Sequence, residues 1–291
     1  ETGFRIQRYL SLVTADSASF LLLNKPLYRF HPVAGYQYIP DQSFTARWVG
    51  EDNRVVRTSK GRINLAGNNS RAEDGLSPKR DEFRIAIVGD SITASIHNDH
   101  PWPGLLEERL NQDRIFRQLV HRKKIHIFNF GRDGIGVEQF PALYETEVKP
   151  FHPDLLIVNF ITADIYRSFV WRKTVTLPGA SRPYQVVLNC SSLPVSFDNP
   201  HCTFAGIIIV PEGNDTSPPA LLAIKKEIAH HLAKQLPWFR PTPELLFWLW
   251  KHRSLSRYEP TIENRQESIE RSREALKSIQ KQNPKTLFLH T

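Results

Sequence analysis

The sequence contains no methionine and only two cysteines among its 291 residues, and its apolar runs are short. Runs such as those at residues 155–158 and 245–250 fall well below the roughly 20 residues that a membrane-spanning helix needs. The sequence therefore predicts no transmembrane segment. The chain begins at Glu1 without the charged, apolar and small-residue order of a signal peptide. We expect that any targeting sequence has already been removed.

Charge of one sign is not concentrated in any part of the chain. The formal net charge of +8 favours acidic partners or anionic surfaces. The 38 Lys and Arg residues are nevertheless spread along the whole sequence, so no nucleic-acid partner is expected. With 40% apolar and 23% charged residues, the composition excludes disorder, collagen and coiled coil as the main architecture.

The two cysteines, Cys190 and Cys202, lie twelve positions apart in a stretch rich in Pro and Ser. This separation suits one disulfide that closes a surface loop, and two free buried thiols are the alternative. Disulfides persist in oxidising compartments. A bridge here would therefore place the protein outside the cytoplasm, in a periplasm or secreted.

The residues before position 81 differ in pattern from those that follow. Residues 1–80 carry short alternating runs separated by turn residues, at 46–49, 54–57 and 62–65. We interpret this part as a β-rich lead-in. From residue 84 onward, short apolar strands alternate with helical periods, which predicts a three-layer α/β domain with a parallel sheet and flanking helices over residues 81–291.

The strands and helices of this α/β domain can be placed approximately. The strands are expected at 84–88, 124–130, 154–160 and 286–290. The helices are expected near 102–120, 137–148 and 262–282. In the first helix, one apolar stripe is formed by Leu105, Leu106, Leu110 and Ile115.

A Pro-rich insertion at residues 172–260 interrupts this alternation and is expected to form a cap. It contains predicted strands at 184–188 and 206–210 and predicted helices at 219–235 and 243–252. The second of these helices combines aromatic with basic residues, a composition that can lie in a membrane interface. Core packing is the alternative. Peripheral membrane contact would use Phe247, Trp248, Trp250, Lys251 and Arg253.

Ligands of parallel α/β sheets bind beyond the carboxyl ends of the strands. The first such turn has Gly89 at the end of an apolar strand and Ser91 at the start of a helical segment. A serine there can attack an acyl carbon, and backbone amides of the turn can hold the resulting oxyanion. A turn glycine followed by a helix-capping serine is the alternative.

The turns after the second and third strands contain further polar and small residues. The second has glycines at 131, 134 and 136, a spacing that differs from the dinucleotide fingerprint, so no nucleotide cofactor is expected. In the third, Asp164 follows a buried strand. His97 with His100, and His230 with His231, lack the further ligand spacing of a metal site, so no metal is expected.

Taken in order, these three turns resemble the SGNH hydrolases of the GDSL esterase superfamily, from about residue 84 to the end of the chain. The resemblance implies a flavodoxin-like α/β sheet with Ser91 as nucleophile. It also implies that the amides of Ser91 and Gly131 form the oxyanion hole, and that Asp164 belongs to the third block. The family has asparagine before that aspartate, whereas this chain has Ala163. The loss of one such donor typically costs about 100- to 1000-fold in rate.

The family's fourth block is a late D-x-x-H that supplies the general base. The chain ends with a predicted strand at 286–290, and this block does not follow it. One literal match exists at residues 198–201 and ends at His201. Either His201 is the base, or the base lies beyond Thr291, which is our expectation.

The resemblance implies a serine-dependent hydrolase or acyl transferase that acts on an acylated carbohydrate or another small ester. The alternative is a protein that keeps the fold for binding or scaffolding and has impaired catalysis, as the alanine at position 163 and the missing fourth block indicate.

Overall fold

The computed structural model describes residues 20–49, 54–65, 67–70, 80–96, 98–121, 123–167, 169–175, 184–190, 195, 202–209 and 262–291. The chain divides into two compact units. One comprises residues 1–26, 46–58 and 171–259, and the other comprises residues 27–45, 59–170 and 260–291. The domain boundaries predicted from the sequence, including those of the cap, stay a prediction. The predicted helices at 219–235 and 243–252 lie outside the described residues.

A six-stranded sheet in the order β5-β4-β1-β11-β10-β9 contains the described strands of the first unit, and its residues 42–45, 59–63 and 170 belong to the second unit. Its strands are β1 (Phe20–Leu23), β4 (Gln42–Val49), β5 (Val55–Ile63), β9 (Val170–Val175), β10 (Tyr184–Cys190) and β11 (Cys202–Ile209). The β-rich lead-in is therefore confirmed, and both predicted strands of the insertion are present. The runs at 54–57 and 62–65 belong to one long strand, β5, rather than to two.

The second unit contains a four-stranded parallel sheet in the order β12-β8-β6-β7, together with a two-stranded hairpin. The parallel strands are β6 (Glu82–Gly89), β7 (Lys124–Asn129), β8 (Leu155–Phe160) and β12 (Thr286–His290). The hairpin consists of β2 (Tyr28–His31) and β3 (Gly35–Tyr38). The predicted parallel α/β architecture is confirmed.

Helices cover both faces of this parallel sheet, which is why its two central strands, β6 and β8, carry uninterrupted apolar runs. On one face, Ala86 and Val88 pack with Ala275 and Ile279 of the last helix. On the other face, Ile85 and Ile87 of the same strand pack with side chains of the helices that precede β7. The helices are α1 (Ser91–Ala94), α2 (Trp102–Gln112), α3 (Arg114–Leu119), α4 (Phe140–Leu143), α5 (Thr162–Tyr166) and α6 (Ile262–Gln282).

The single helix predicted for residues 102–120 is wrong, because the structure has two helices that meet at Asp113. The backbone of Asp113 is extended, and its side chain accepts a hydrogen bond from the Phe116 amide at 2.8 Å, so it caps α3. The predicted apolar stripe is also wrong. Leu106 and Leu110 contact the sheet, whereas Leu105 and Ile115 are 45% and 72% exposed.

The helix predicted for residues 137–148 is a series of irregular turns around α4. A 3₁₀ turn (Val137–Gln139) precedes α4, a π turn (Tyr144–Val148) follows it, and a second 3₁₀ turn (Lys149–Phe151) ends the series. Proline stands near the start of both α4 and the final turn, where its missing amide is tolerated. The predicted helix at 262–282 is confirmed by α6.

Candidate active site

The first sequence-predicted site residue, Ser91, is the first residue of α1, directly beyond the carboxyl end of the central strand β6. The preceding Asp90 caps this helix, because its carboxylate accepts a hydrogen bond from the Ile92 amide at 3.0 Å. Asp90 is fully buried, whereas Ser91 is partly exposed. The cap fixes the direction of the chain and leaves the serine at the surface of the turn.

Gly89 allows α1 to pack against the third strand. A Cβ atom at this position would lie 2.2 Å from Thr93 Oγ1 and 2.7 Å from the Asn159 carbonyl oxygen. In the space left free, Thr93 Oγ1 accepts a hydrogen bond from Asn159 Nδ2 at 3.0 Å. The helix that begins at Ser91 is therefore tied to β8 by a buried contact that needs glycine at position 89.

The second predicted site residue, Gly131, lies directly against α1. A Cβ atom on Gly131 would lie 2.3 Å from the Ala94 amide nitrogen and 2.6 Å from the Thr93 carbonyl carbon. Asn129 joins the same two segments: its Nδ2 donates to the Thr93 carbonyl at 2.9 Å, and its Oδ1 accepts from the Gly131 amide at 2.9 Å. The turns after β6 and β7 are thus packed together.

The Gly131 amide can hold an oxyanion only if its present hydrogen bond changes. Its hydrogen already goes to Asn129 Oδ1, so the amide must leave or share that bond to hold an oxyanion. The oxyanion role of Gly131 stays a prediction.

The third predicted site residue, Asp164, is fully buried on α5 and organises the turn after β8. Its Oδ2 accepts from the Ile161 amide at 3.0 Å, and its Oδ1 accepts from Arg167 Nη1 at 2.5 Å. The neighbouring Ala163 is exposed. β8 pairs with β6 with Gly89 opposite Asn159, so the turn that holds Asp164 leaves the same edge of the sheet as Ser91.

Burial raises the pKa of Asp164 from 3.8 to about 6, and the nearby Asp90 carboxyl adds to this rise. The Ile161 amide and the charge of Arg167 act in the opposite direction. A carboxyl with a raised pKa binds its proton more tightly in the folded than in the unfolded chain. Its contribution to stability is therefore present in acid and is lost as the pH rises from about 4 to about 6.

Asp164→Asn should remove this loss of stability. Relative to the variant, the free energy of unfolding of the wild type should fall by about 2 kcal/mol between pH 4 and pH 6, as integration of the linkage relation over this range requires. Urea unfolding across this pH range measures the difference. The exposed Asp81→Asn variant is the control and should follow the wild type. Parallel profiles of wild type and Asp164→Asn would contradict a raised pKa.

A tyrosine-rich hairpin, which the sequence analysis did not connect with the site, holds the turn after β7. Tyr38 Oη of β3 donates to the Gly131 carbonyl at 3.1 Å, and Tyr36 Oη donates to the Asp133 carbonyl at 2.5 Å. Tyr28 of β2 donates to the Asp133 carboxylate at 3.1 Å. Loss of one such hydroxyl leaves a buried acceptor unsatisfied, which costs about 1–3 kcal/mol.

The side chain of Arg132 completes this support. It is fully buried, forms an ion pair with Glu147, and lies 4.0 Å from the centre of the Tyr38 ring. The sequence signal for this arrangement is the alternation of tyrosines in residues 35–38, which indicates a strand with one aromatic face. Nothing in that alternation indicates which segment, about a hundred residues away, the tyrosines would contact.

The candidate base His201 lies outside the described residues. His290 is the last residue of β12, and its Nε2 atom lies 3.1 Å from Thr162 Oγ1 of α5. Among the described residues, no group of three or more His, Cys, Asp or Glu side chains is arranged to hold a metal ion. No helix within the described ranges is long and apolar enough to cross a membrane.

Comparison with known proteins agrees with this geometry. Residues 85–192 match the family of GDSL-like lipases/acylhydrolases, a segment that contains all three turns. No curated protein matches the chain. The matched segment begins within the strand that leads to Ser91 and continues beyond Asp164. Residues 85–192 of this chain therefore match the GDSL-like lipase/acylhydrolase family, which supports membership of the SGNH hydrolase superfamily.

Proposed function

We propose that this protein is a serine-dependent hydrolase or acyl transferase that acts on an acylated carbohydrate or another small ester. The family implies esterase, lipase or acylhydrolase activity. The observation that carries the proposal is the position of Ser91 at the start of α1, with the turn of Gly131 packed against the same helix. A partly exposed serine beside two backbone turns is an arrangement suited to acyl transfer.

In the proposed reaction, Ser91 Oγ attacks the ester carbonyl carbon while a general base accepts the hydroxyl proton. The carbonyl oxygen becomes an oxyanion beside the Ser91 amide. The oxyanion then collapses, the C–O bond to the alcohol breaks, and the alcohol leaves with a proton from the base. Water, or an acceptor hydroxyl in the case of transfer, attacks the resulting acyl-serine and releases the acyl group.

A fluorophosphonate probe tests this proposal, because it forms a covalent bond only with an activated serine. We expect labelling of the purified protein at Ser91, located by mass spectrometry of peptides, and complete loss of labelling in Ser91→Ala. Ser95→Ala is the matched control, since Ser95 lies one turn further along and its hydroxyl donates to the Ile92 carbonyl at 2.9 Å. Labelling that persists in Ser91→Ala would reject Ser91 as the nucleophile.

Binding or scaffolding without efficient catalysis is the second candidate function. Two observations favour it: position 163 carries no side-chain donor, and the Gly131 amide is already bound to Asn129 Oδ1. An unlabelled wild-type protein with an intact fold would support this second function and reject the first.

We further propose an extracytoplasmic location with a disulfide between Cys190 and Cys202. The register of β10 and β11 supports the bridge, because the two cysteines are directly opposite each other across the strand pair. Paired Cα atoms in an antiparallel sheet lie at distances within the range that a disulfide spans. The proposed membrane contact through residues 247–253 is supported by composition alone.

Closing this loop should stabilise the fold by about 3 kcal/mol, because the bridge restricts the unfolded chain. Titration of the unfolded, unreduced protein with a thiol reagent should therefore find no free thiol. After reduction, two thiols should react. Two free thiols before reduction would contradict both the bridge and the location that depends on it.

A further inference from the structure

A polar cavity of about 280 Å³ lies beside α1, on the side of the sheet edge formed by β7. Its wall includes Phe44 of β4, Gly61 of β5, Asn69, and two residues of α2, Gly104 and Glu107. This volume is at the lower end of the roughly 300–1,000 Å³ of small-molecule sites. It suits one ring-sized ligand rather than a long acyl chain.

The cavity is physically connected to the helix that begins at Ser91. Asn69 of its wall donates from Nδ2 to the Ala94 carbonyl at 2.9 Å. Ala94 is the last residue of α1, so one helical turn separates this contact from Ser91. Ile96, which follows α1, also lines the cavity. A ligand in this cavity would lie near the end of α1 that is one helical turn from the proposed nucleophile.

Several hydrogen-bond acceptors lie on the wall. Glu107 Oε2 accepts from the Ile127 amide at 2.6 Å, and Asp99 Oδ1 accepts from the Lys60 amide at 2.9 Å. Each of these carboxylates keeps a second oxygen that accepts no hydrogen bond from the part of the chain that the structure describes. The same holds for the side-chain oxygen of Asn69, whose amide group donates to Ala94. Such a wall favours a ligand with several donors.

The charges of the wall favour a neutral ligand over an anion. Lys60 and Arg62 line the cavity together with the carboxylates of Asp99 and Glu107, which leaves no net charge. The guanidinium of Arg62 is itself paired with Asp41 at 3.2 Å. An anion in the cavity would face the carboxylates of Asp99 and Glu107. Among the described residues of the wall, only the Lys60 ammonium, which forms no ion pair with a carboxylate there, would attract it.

Apolar side chains complete the set of contacts: the cavity is also lined by Phe44, Ile96, Pro101, Pro103 and Ile127. The ring of Phe44 is buried and lies against Gly61, where a Cβ atom would be 2.4 Å from the ring. Glycine at position 61 therefore leaves the space that the ring occupies. A ligand that carries both hydroxyl groups and an apolar ring face would complement a wall that has several acceptors beside an aromatic side chain.

We propose that this cavity binds one neutral carbohydrate ring, as the subsite for the sugar part of the substrate. The choice of a sugar rests on the proposed function, but binding in the cavity requires no catalysis. The sugar hydroxyls would donate to the side-chain oxygens of Asn69, Asp99 and Glu107. The ester would then extend past the end of α1 toward Ser91.

Titration of the ¹⁵N-labelled protein with methyl β-D-glucopyranoside and with cellobiose tests the proposal. We expect saturable shifts of the Gly61 and Gly104 amide signals with these neutral sugars and none with gluconate, an anion of similar size. Saturation with gluconate instead, or no saturable shift with either sugar up to millimolar concentrations, would overturn it.

Two variants separate the cavity from the rest of the surface. Gly104→Phe should fill the cavity and weaken sugar binding by about 10-fold or more, whereas Leu105→Phe, an exposed neighbour on the same helix, should bind as the wild type does. Glu107→Gln removes one acceptor at nearly constant size and should weaken binding without filling the space. Equal affinity in all three variants would overturn the proposal.

The outcome is independent of the test of the nucleophile. Sugar binding without fluorophosphonate labelling of Ser91 would reject the proposed catalysis and keep the subsite. Labelling of Ser91 without sugar binding would reject the subsite and keep the catalysis.

Discussion

Gly131→Ala should displace α1, lower the free energy of unfolding by about 3 kcal/mol, and abolish labelling of Ser91 by a fluorophosphonate probe. The new Cβ atom would lie 2.3 Å from the Ala94 nitrogen and 2.6 Å from the Thr93 carbon. Both are backbone atoms of the α1 segment, so no side chain can turn away to make room. The energetic cost is that of a strongly overpacked site.

The matched control is Gly104→Ala, a glycine in the first turns of α2. Alanine is more favourable than glycine in a helix by about 1 kcal/mol, so this variant should be as stable as the wild type or more stable. Urea unfolding measures stability, and mass spectrometry measures the labelling of Ser91. A Gly131→Ala protein with wild-type stability and labelling would show that the turn of Gly131 does not press on the helix of Ser91.

The central strands of the parallel sheet could be predicted because they are buried on both faces, and β6 and β8 each carry a continuous apolar run. The edge strands β7 and β12 are partly exposed, and their patterns are weaker. The rule that parallel strands end at one edge also predicts that the turns of Ser91, Gly131 and Asp164 lie together. The packing of Gly131 on α1 and the register of β6 with β8 agree with that rule.

Other features depend on contacts that a local pattern does not contain. The end of α2 is set by Asp113, whose carboxylate binds an amide of the next helix, and a helical period does not register such a cap. The carboxylate of Glu107 on α2 binds the Ile127 amide of the neighbouring strand, and a helical period does not indicate such a contact. The tyrosine hairpin is the largest omission, since Tyr38 and Gly131 are 93 positions apart.

Ala163→Asn should raise kcat for a simple ester by about 10-fold or more, because the resemblance implies that the family supplies an oxyanion donor at position 163. When Ser91 attacks, negative charge develops on the carbonyl oxygen beside the turns of the first three parallel strands. The Ser91 amide is one donor, and the Gly131 amide can add a second only by sharing its bond with Asn129. Alanine offers a methyl group, so water must complete the solvation of the oxyanion.

The structure makes this substitution practicable. Ala163 is exposed in the first turn of α5, where a longer side chain displaces no buried group. The buried neighbour Asp164 holds the turn through the Ile161 amide and Arg167, so the backbone at position 163 should keep its conformation. Tyr166→Asn, an exposed position on the same helix, places the same amide elsewhere and should leave kcat unchanged. If Ala163→Asn folds as judged by circular dichroism and kcat does not rise, position 163 does not face the oxyanion, and the alignment of the third turn with the family is wrong.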